Sequence, residues 1–412
     1  MAQILLPEKV WDGTAADYFP SETAILVENG KIKEINSRAR LGTEAEVVSL
    51  DGLTAIPGLI DAHVHLSLDP ESPGADAEDP DGAVLRAEAM VRRGITTARD
   101  LGSSGGRILE LRKEINKGER IGPRLLVAGP PLTTPGGHCH FWGGVVEDAK
   151  DIEKLVRDQA ELGFDWLKVM ATGGVLTQGT RPSATQFKLK ELEKMVSMSE
   201  AFGLPVAAHC HGTPGIAACA RARVQSIEHS SFSGEGGFGS AFDEEVSQLI
   251  SESGAFVAPT VHARWSRFLT QYNDNRPISE RTESTNDGSD FARRMNRCYR
   301  GLKAAGVRMV ASTDAGIPGV HHDALDRALP VWARFAELSP REALISATSG
   351  SASALGISDE TGFLKPGRSA DIVAVRGDPL KSLDCLADKM WVMARGQVVT
   401  QQSEVFKAKK EN

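Results

Sequence analysis

Through the middle of the chain, helix-length stretches with apolar residues on one face end at a glycine and pass at once into short, β-branched apolar runs. Val91-Arg-Arg-Gly94-Ile-Thr-Thr, Glu161-Leu-Gly163-Phe-Asp-Trp, Ala201-Phe-Gly203-Leu-Pro-Val, Glu252-Ser-Gly254-Ala-Phe-Val and Ala304-Ala-Gly306-Val-Arg-Met share this pattern. A glycine just past a helix accepts the left-handed conformation that closes the last turn, so each junction reads as a helix stop and a strand start. Strands are predicted over 56–65, 96–100, 124–129, 166–171, 206–211, 226–229, 256–259 and 309–314. Strands alternating with helices imply a parallel α/β sheet. An open sheet would spread the strand ends along a line, whereas a closed (β/α)8 TIM barrel over 56–361 sets the first strand beside the eighth.

The flanks have a different rhythm. Residues 1–55 and 362–412 hold short alternating runs joined by Asn-Gly and Arg-Gly turns, which predicts one small composite β-sandwich domain made from both ends of the chain. Two stretches read as exposed loops that could cover the barrel mouth: 69–82, acidic and rich in Pro and Gly, and 266–290, polar and aperiodic.

Length and charge narrow the picture. A chain of 412 residues, 41% hydrophobic, accommodates a barrel of about 250 residues with a satellite domain. A net charge of -8 offers no basic stripe for phosphates, so no nucleic-acid partner is expected. Apolar runs are strand-sized and the first residues lack a secretory pattern, so the reading is cytoplasmic with no membrane partner. Five cysteines without CxxC spacing suit a reducing compartment. Cys139 and Cys210 each lie between histidines, where a small neutral residue is a simpler reading than a thiolate ligand.

The chemistry gathers at the ends of the predicted strands, where such barrels place their active sites. Histidines at i and i+2 on a strand point the same way, so His63 and His65 can share one metal ion. They close the run Pro57-Gly-Leu-Ile-Asp-Ala-His63-Val-His65, which resembles the signature of the amidohydrolase superfamily. Within it the chain is similar to the Xaa-Pro and Xaa-Arg dipeptidases and the N-acyl amino acid hydrolases of the imidazolonepropionase-like branch, over nearly the whole length. The resemblance implies that His63, His65 and Asp314 (in Ala311-Ser-Thr-Asp-Ala-Gly) hold one ion, and that His209 and His229 (in Ala-His-Cys-His-Gly and Ile-Glu-His-Ser) hold a second. It also implies that Lys168, in Leu-Lys-Val-Met, carries a carbon dioxide-derived carbamate bridging both. An unmodified ammonium would be repelled by two cations, whereas a carbamate offers each an anionic oxygen. Pairing with an acidic neighbour is the alternative for this lysine. Zinc is the expected metal, with manganese or cobalt as substitutes.

By the same resemblance, a hydroxide between the two ions would attack a carbonyl, with Asp314 passing its proton to the leaving nitrogen. His138, in Thr133-Thr-Pro-Gly-Gly-His-Cys-His, corresponds to the histidine that polarises the carbonyl, with His140 as the alternative. His211, Arg181 and His262 are candidate substrate contacts. Phe232 stands where relatives commonly carry a tyrosine, so a phenolic donor is expected to be missing.

The reading is therefore a binuclear amide hydrolase acting on a small molecule, of the kind that releases a C-terminal amino acid from a dipeptide or N-acyl amino acid, and expected to be a homo-oligomer as its relatives tend to be. Hydrolysis of a xenobiotic amide, urea or carbamate, or of a lactone or cyclic amide, would use the same ligands. Deamination is disfavoured, because one-metal deaminases place a glutamate where this chain has Gly212. A non-catalytic scaffold is disfavoured too, since no expected ligand is lost.

Overall fold

The computed structural model describes residues 2–41, 45–72, 74, 78–270, 278–280 and 289–401. Seven parallel strands line the barrel: Leu59–Val64, Ile95–Asp100, Arg124–Val127, Leu167–Met170, Val206–Gly212, Ser226–Ser233 and Phe256–Ala258. Ladders join the first three and the last four. Parallel bridges Ala128 to Trp166 and Leu132 to Val169 close one gap, and bridges Val257 to Met309 and Val64 to Ala315 close the other through the segment predicted as the eighth strand. Backbone bonds from Ala62 N to Ala311 O (3.1 Å) and His65 N to Ala315 O (2.7 Å) seal that seam. This eighth segment pairs by bridges rather than a regular ladder, since Ala311 N bonds to Ser346 O (2.8 Å) and Thr313 N to Asp61 Oδ1 (3.1 Å) instead of a neighbouring strand.

All five predicted helix-stop glycines adopt positive φ: Gly94 (79°), Gly163 (84°), Gly203 (70°), Gly254 (80°) and Gly306 (79°). The predicted strand 56–65 is divided at Gly58. Glu46–Pro57 belongs to the terminal sheet and Leu59–Val64 to the barrel. A Cβ at Gly58 would lie 2.0 Å from Thr96 Oγ1, so only glycine lets the chain pass from one sheet to the other here.

The chain ends interleave in one seven-stranded sheet, ordered Gln397–Gln401, Lys389–Ala394, Ile372–Arg376, Glu46–Pro57, Gln3–Val10, Thr23–Glu28, Lys31–Ser37. Its edges curl toward each other, with Gly30 against Arg395, around a separate core that includes Leu5, Ile25, Ile32, Trp391 and Met393. Of the two expected loops, Pro73, 75–77, 271–277 and 281–288 lie outside the described residues. The described parts are anchored: Arg86 pairs with Asp79 (3.0 Å), and Leu269 and Ile278 are buried. Among the described residues no helix is long and apolar enough to cross a membrane.

Candidate metal centre and chamber

Strand ends from around the barrel converge on two adjoining groups of side chains. In the first, His63 Nε2 and His65 Nε2 are 3.3 Å apart, and each is 3.3 Å from Asp314 Oδ1. A tetrahedral ion with ligand bonds of about 2.0–2.1 Å spaces its ligands by about 3.3 Å, which is the triangle found here. The other ring nitrogens are already engaged. His63 Nδ1–H donates to Glu228 Oε2 (2.8 Å) and His65 Nδ1–H to the Gly102 carbonyl (2.9 Å). Those bonds fix the tautomers and leave both Nε2 lone pairs facing a carboxylate, an arrangement that repels itself until a cation enters.

The second group is His209, His211 and His229, whose nearest ligand atoms lie within 4.8 Å of one another. His209 Nε2–H donates to Gly173 O (3.2 Å), His229 Nδ1 meets Thr260 Oγ1 (2.8 Å), and His209 Nδ1 and His229 Nε2 face each other at 2.9 Å. His211, expected only as a substrate contact, stands in this group as a third imidazole. It stacks on His229 at 4.4 Å and its Nδ1 meets Ser231 Oγ at 2.9 Å.

Lys168 lies between the groups. Its side chain is buried, and its Nζ has no hydrogen-bond partner. With His63, His138, His209, His229 and Asp314 it lines a cavity of about 40 Å³. Burial pushes the ammonium down to about 8, against the opposing pull of Glu228 and Asp314. An unpartnered buried amine between the two groups fits carbamate formation. The residues present therefore suit a pair of divalent ions.

Burial sets the remaining protonation states. It pushes His63 and His138 down to about 4 and His211 down to about 3, so these imidazoles are neutral and able to ligate. Burial opposes ionisation of Asp314, and a cation held between its Oδ1 and the two Nε2 atoms would favour the ionised form. Burial likewise opposes ionisation of Glu228, and Arg99 overcomes it. Arg99 is fully buried, bonded to Glu228 Oε1 (2.9 Å), Ser226 Oγ (2.9 Å) and Ala62 O (2.7 Å), with its guanidinium 4.4 Å from the Trp166 ring. Left-handed φ values at His229 (65°), Thr260 (54°) and Asp314 (60°) re-aim these side chains where the strands end.

A chamber of about 220 Å³ opens beside the metal groups. His138 reaches both spaces. Its Nδ1 lies 2.8 Å from Thr177 Oγ1, which accepts the Cys139 amide (3.0 Å) and so can turn its own proton toward Nδ1, leaving Nε2–H for a ligand. A Cβ at Gly174 would fall 2.3 Å from His138 Nε2, so glycine there makes room for the ring.

Three sequence candidates sit elsewhere. His140 is exposed, with its Nδ1–H donated to Gly137 O (2.9 Å), so the loop turns it away while His138 turns in. Phe232 is fully buried and packs edge-on against Phe242 (5.1 Å) in the core instead of reaching the chamber. From that strand, Ser231 and His229 face the chamber. Arg181 is exposed in a shallower neighbouring cleft that shares Phe238 with the chamber. His262 does line the chamber, and burial pushes it down to about 4. Sequence reasoning missed Glu228, Arg99 and Thr177, which hold the histidines, and Phe238, Trp265 and Tyr299, which line the chamber. For Glu228 and Arg99 a signal existed: a charged residue inside an otherwise apolar strand needs a buried partner.

Comparison with known proteins agrees with this geometry. The amidohydrolase family model matches residues 54–399. Ochratoxinase of Aspergillus niger is 28% identical over 363 residues, spanning 80% of this chain and 71% of the relative. Imidazolonepropionase of Shewanella sp. (strain W3-18-1) is 24% identical over 397 residues, spanning 85% of this chain and 86% of the relative. The crystal structure of a Xaa-Pro dipeptidase with methionine bound in its active site superposes with TM-score 0.81 at 26% identity, over 97% of this chain and 99% of that one.

Proposed function

The chain belongs to the amidohydrolase family, and from that membership we propose that it is a binuclear amide hydrolase that releases a C-terminal amino acid from an N-acyl amino acid or dipeptide. The observation that carries the reading is the pair of histidine groups on either side of an unpartnered, buried Lys168. His63, His65 and Asp314 would hold one ion, His209 and His229 the other, and a carbamate on Lys168 would touch both. When bound, such ions supply Lewis acidity, which lowers the pKa of a water and polarises a carbonyl.

The chain's own groups divide the remaining work. Asp314, held ionised, accepts the proton of the attacking water and returns it to the leaving nitrogen. His138 donates Nε2–H to the carbonyl oxygen as it gains charge. Glu228 fixes the ring of His63, and Arg99 fixes Glu228. The carboxylate end of the substrate is assigned to the outer cleft with Arg181, and its apolar part to the chamber.

The test is mass-spectrometric product analysis of the zinc-, manganese- or cobalt-loaded enzyme on N-acyl amino acids, Xaa-Pro and Xaa-Arg dipeptides, aryl amides, ureas, carbamates and lactones. A free C-terminal amino acid among the products supports the proposal. Products from the lactones or ureas alone would replace it with ring opening or xenobiotic hydrolysis at the same centre.

A further inference from the structure

The chamber has a distinctive chemical balance. Much of its wall is apolar, built by Val175, Leu176, Phe238, Pro259, Trp265 and Ile317, and among its described lining residues there is no lysine or arginine. Most of its polar side chains are already engaged: His211 with Ser231, His229 with Thr260, and His138 with Thr177. Two polar atoms are not. Tyr299 Oη and His262 Nδ1 are buried without a hydrogen-bond partner.

Tyr299 comes from the helix Ser289–Ala304, not from a strand end. Its ring is fully buried and clamped edge-on against Trp332 at 5.1 Å, which fixes where the phenol sits. Leaving a buried hydroxyl unbonded costs about 1–3 kcal/mol, a cost that a ligand's acceptor atom would remove.

We propose that Tyr299 determines substrate specificity by donating its phenolic hydrogen to an uncharged acceptor on the apolar part of the substrate, with His262 as the neighbouring polar contact. The chamber then selects an aromatic or branched group bearing an ether, ketone or amide oxygen over a group of the same shape without one. This rests on the amide-hydrolase reading for placing the substrate, but its test does not need turnover.

The experiment compares binding of matched benzamides to the metal-loaded wild type and Tyr299→Phe by calorimetry. Each pair has a methoxy or acetyl group against an ethyl or isopropyl group of similar size at the same ring position. In the wild type, an acceptor-bearing member at one ring position should bind about 2- to 12-fold tighter than its apolar twin, and Tyr299→Phe should erase that preference while leaving the apolar twin unchanged. Equal binding of the twins at every ring position by the wild type, a preference that survives in Tyr299→Phe, or loss of affinity for both twins together would overturn the proposal. The last outcome would mean that the hydroxyl only holds a fixed water or the local packing. Hydrolysis of the corresponding N-aroyl amino acids is scored separately. Discrimination in binding with no amide cleavage would keep the role of Tyr299 and remove the amide-hydrolase reading.

Discussion

Replacing Glu228 with Gln keeps shape and removes one charge, which makes it a sharp test of how the metal site is held. In the native protein one carboxylate oxygen accepts from His63 Nδ1 (2.8 Å) and the other from Arg99 (2.9 Å), and none of the three side chains is more than 1% exposed. A glutamine has a single acceptor oxygen. If it faces Arg99, its NH2 meets the Nδ1–H of His63 and drives the ring to its other tautomer, which puts a proton on the nitrogen that faces Asp314. If it faces His63, Arg99 is left charged and unpaired among Trp166 and Phe256. Two charges about 4 Å apart attract by about 4 kcal/mol at an effective dielectric near 20, and removing one partner of a buried pair typically costs about 3–5 kcal/mol. Lost orientation of a metal-binding histidine typically costs about 10- to 100-fold in metal affinity. The assays are urea unfolding of the metal-free protein and zinc titration against a competing chelator. Adding Arg99→Met to Glu228→Gln should restore most of the unfolding free energy, because it removes the stranded charge, and should leave metal affinity impaired. A single Glu228→Gln variant with stability within about 0.5 kcal/mol of wild type and unchanged zinc affinity would refute this account.

Asp314→Asn should cut kcat by at least about 100-fold, because the proton acceptor is lost, and retention of more than a tenth of activity would assign that transfer elsewhere. Lys168→Ala should bind less metal by elemental analysis, with partial recovery in added formate or acetate, small carboxylates able to stand in for a carbamate. His63 and His138 are held near 4 in the fold against about 6.5 in the unfolded chain, so the unfolded state takes up protons first. Metal-free stability should therefore be full above pH 6.5 and fall as pH drops from 6.5 toward 4, by about 2 kcal/mol per histidine at pH 5; urea midpoints that do not move over this range would contradict these shifts. Phe232→Tyr should lose about 1–3 kcal/mol of stability by pushing a hydroxyl into the contact with Phe242, with no change in substrate preference in a substrate panel; an altered preference would return this position to the chamber.

The barrel was legible because each helix-to-strand junction carries a glycine that takes a left-handed φ, a signal local enough to read along the chain. The order of strand ends was legible for the same reason, and it brought His63, His65, Lys168, His209, His229 and Asp314 to one place. Features that depend on non-local packing were not. The split at Gly58 follows from the approach of Thr96, and the bridged eighth segment from the bonds that draw Ala311 N to Ser346 and Thr313 N to Asp61. Phe232 misled because strand alternation fails where the backbone turns left-handed: His229, Ser230 and Phe232 all have positive φ, so counting by twos no longer tells which side chain faces the chamber. Tyr299 carried no readable mark, since one aromatic residue on an amphipathic helix is indistinguishable from an ordinary core contact until the helix is docked.

The terminal sheet also bears on how the molecule is made. Glu46–Pro57 leads directly through Gly58 into the strand carrying His63 and His65, yet its antiparallel neighbour, Ile372–Arg376, comes from the far end of the chain. At about 5–20 residues per second, the roughly three hundred residues between them occupy a ribosome for about 15–60 s. Through that interval the strand leading to His63 and His65 has an open edge, and the barrel cannot seal until the segment bearing Asp314 has emerged. Assembly of the candidate metal centre is thus a late event of synthesis, and a nascent chain halted before residue 309 should be unable to bring His63, His65 and Asp314 together.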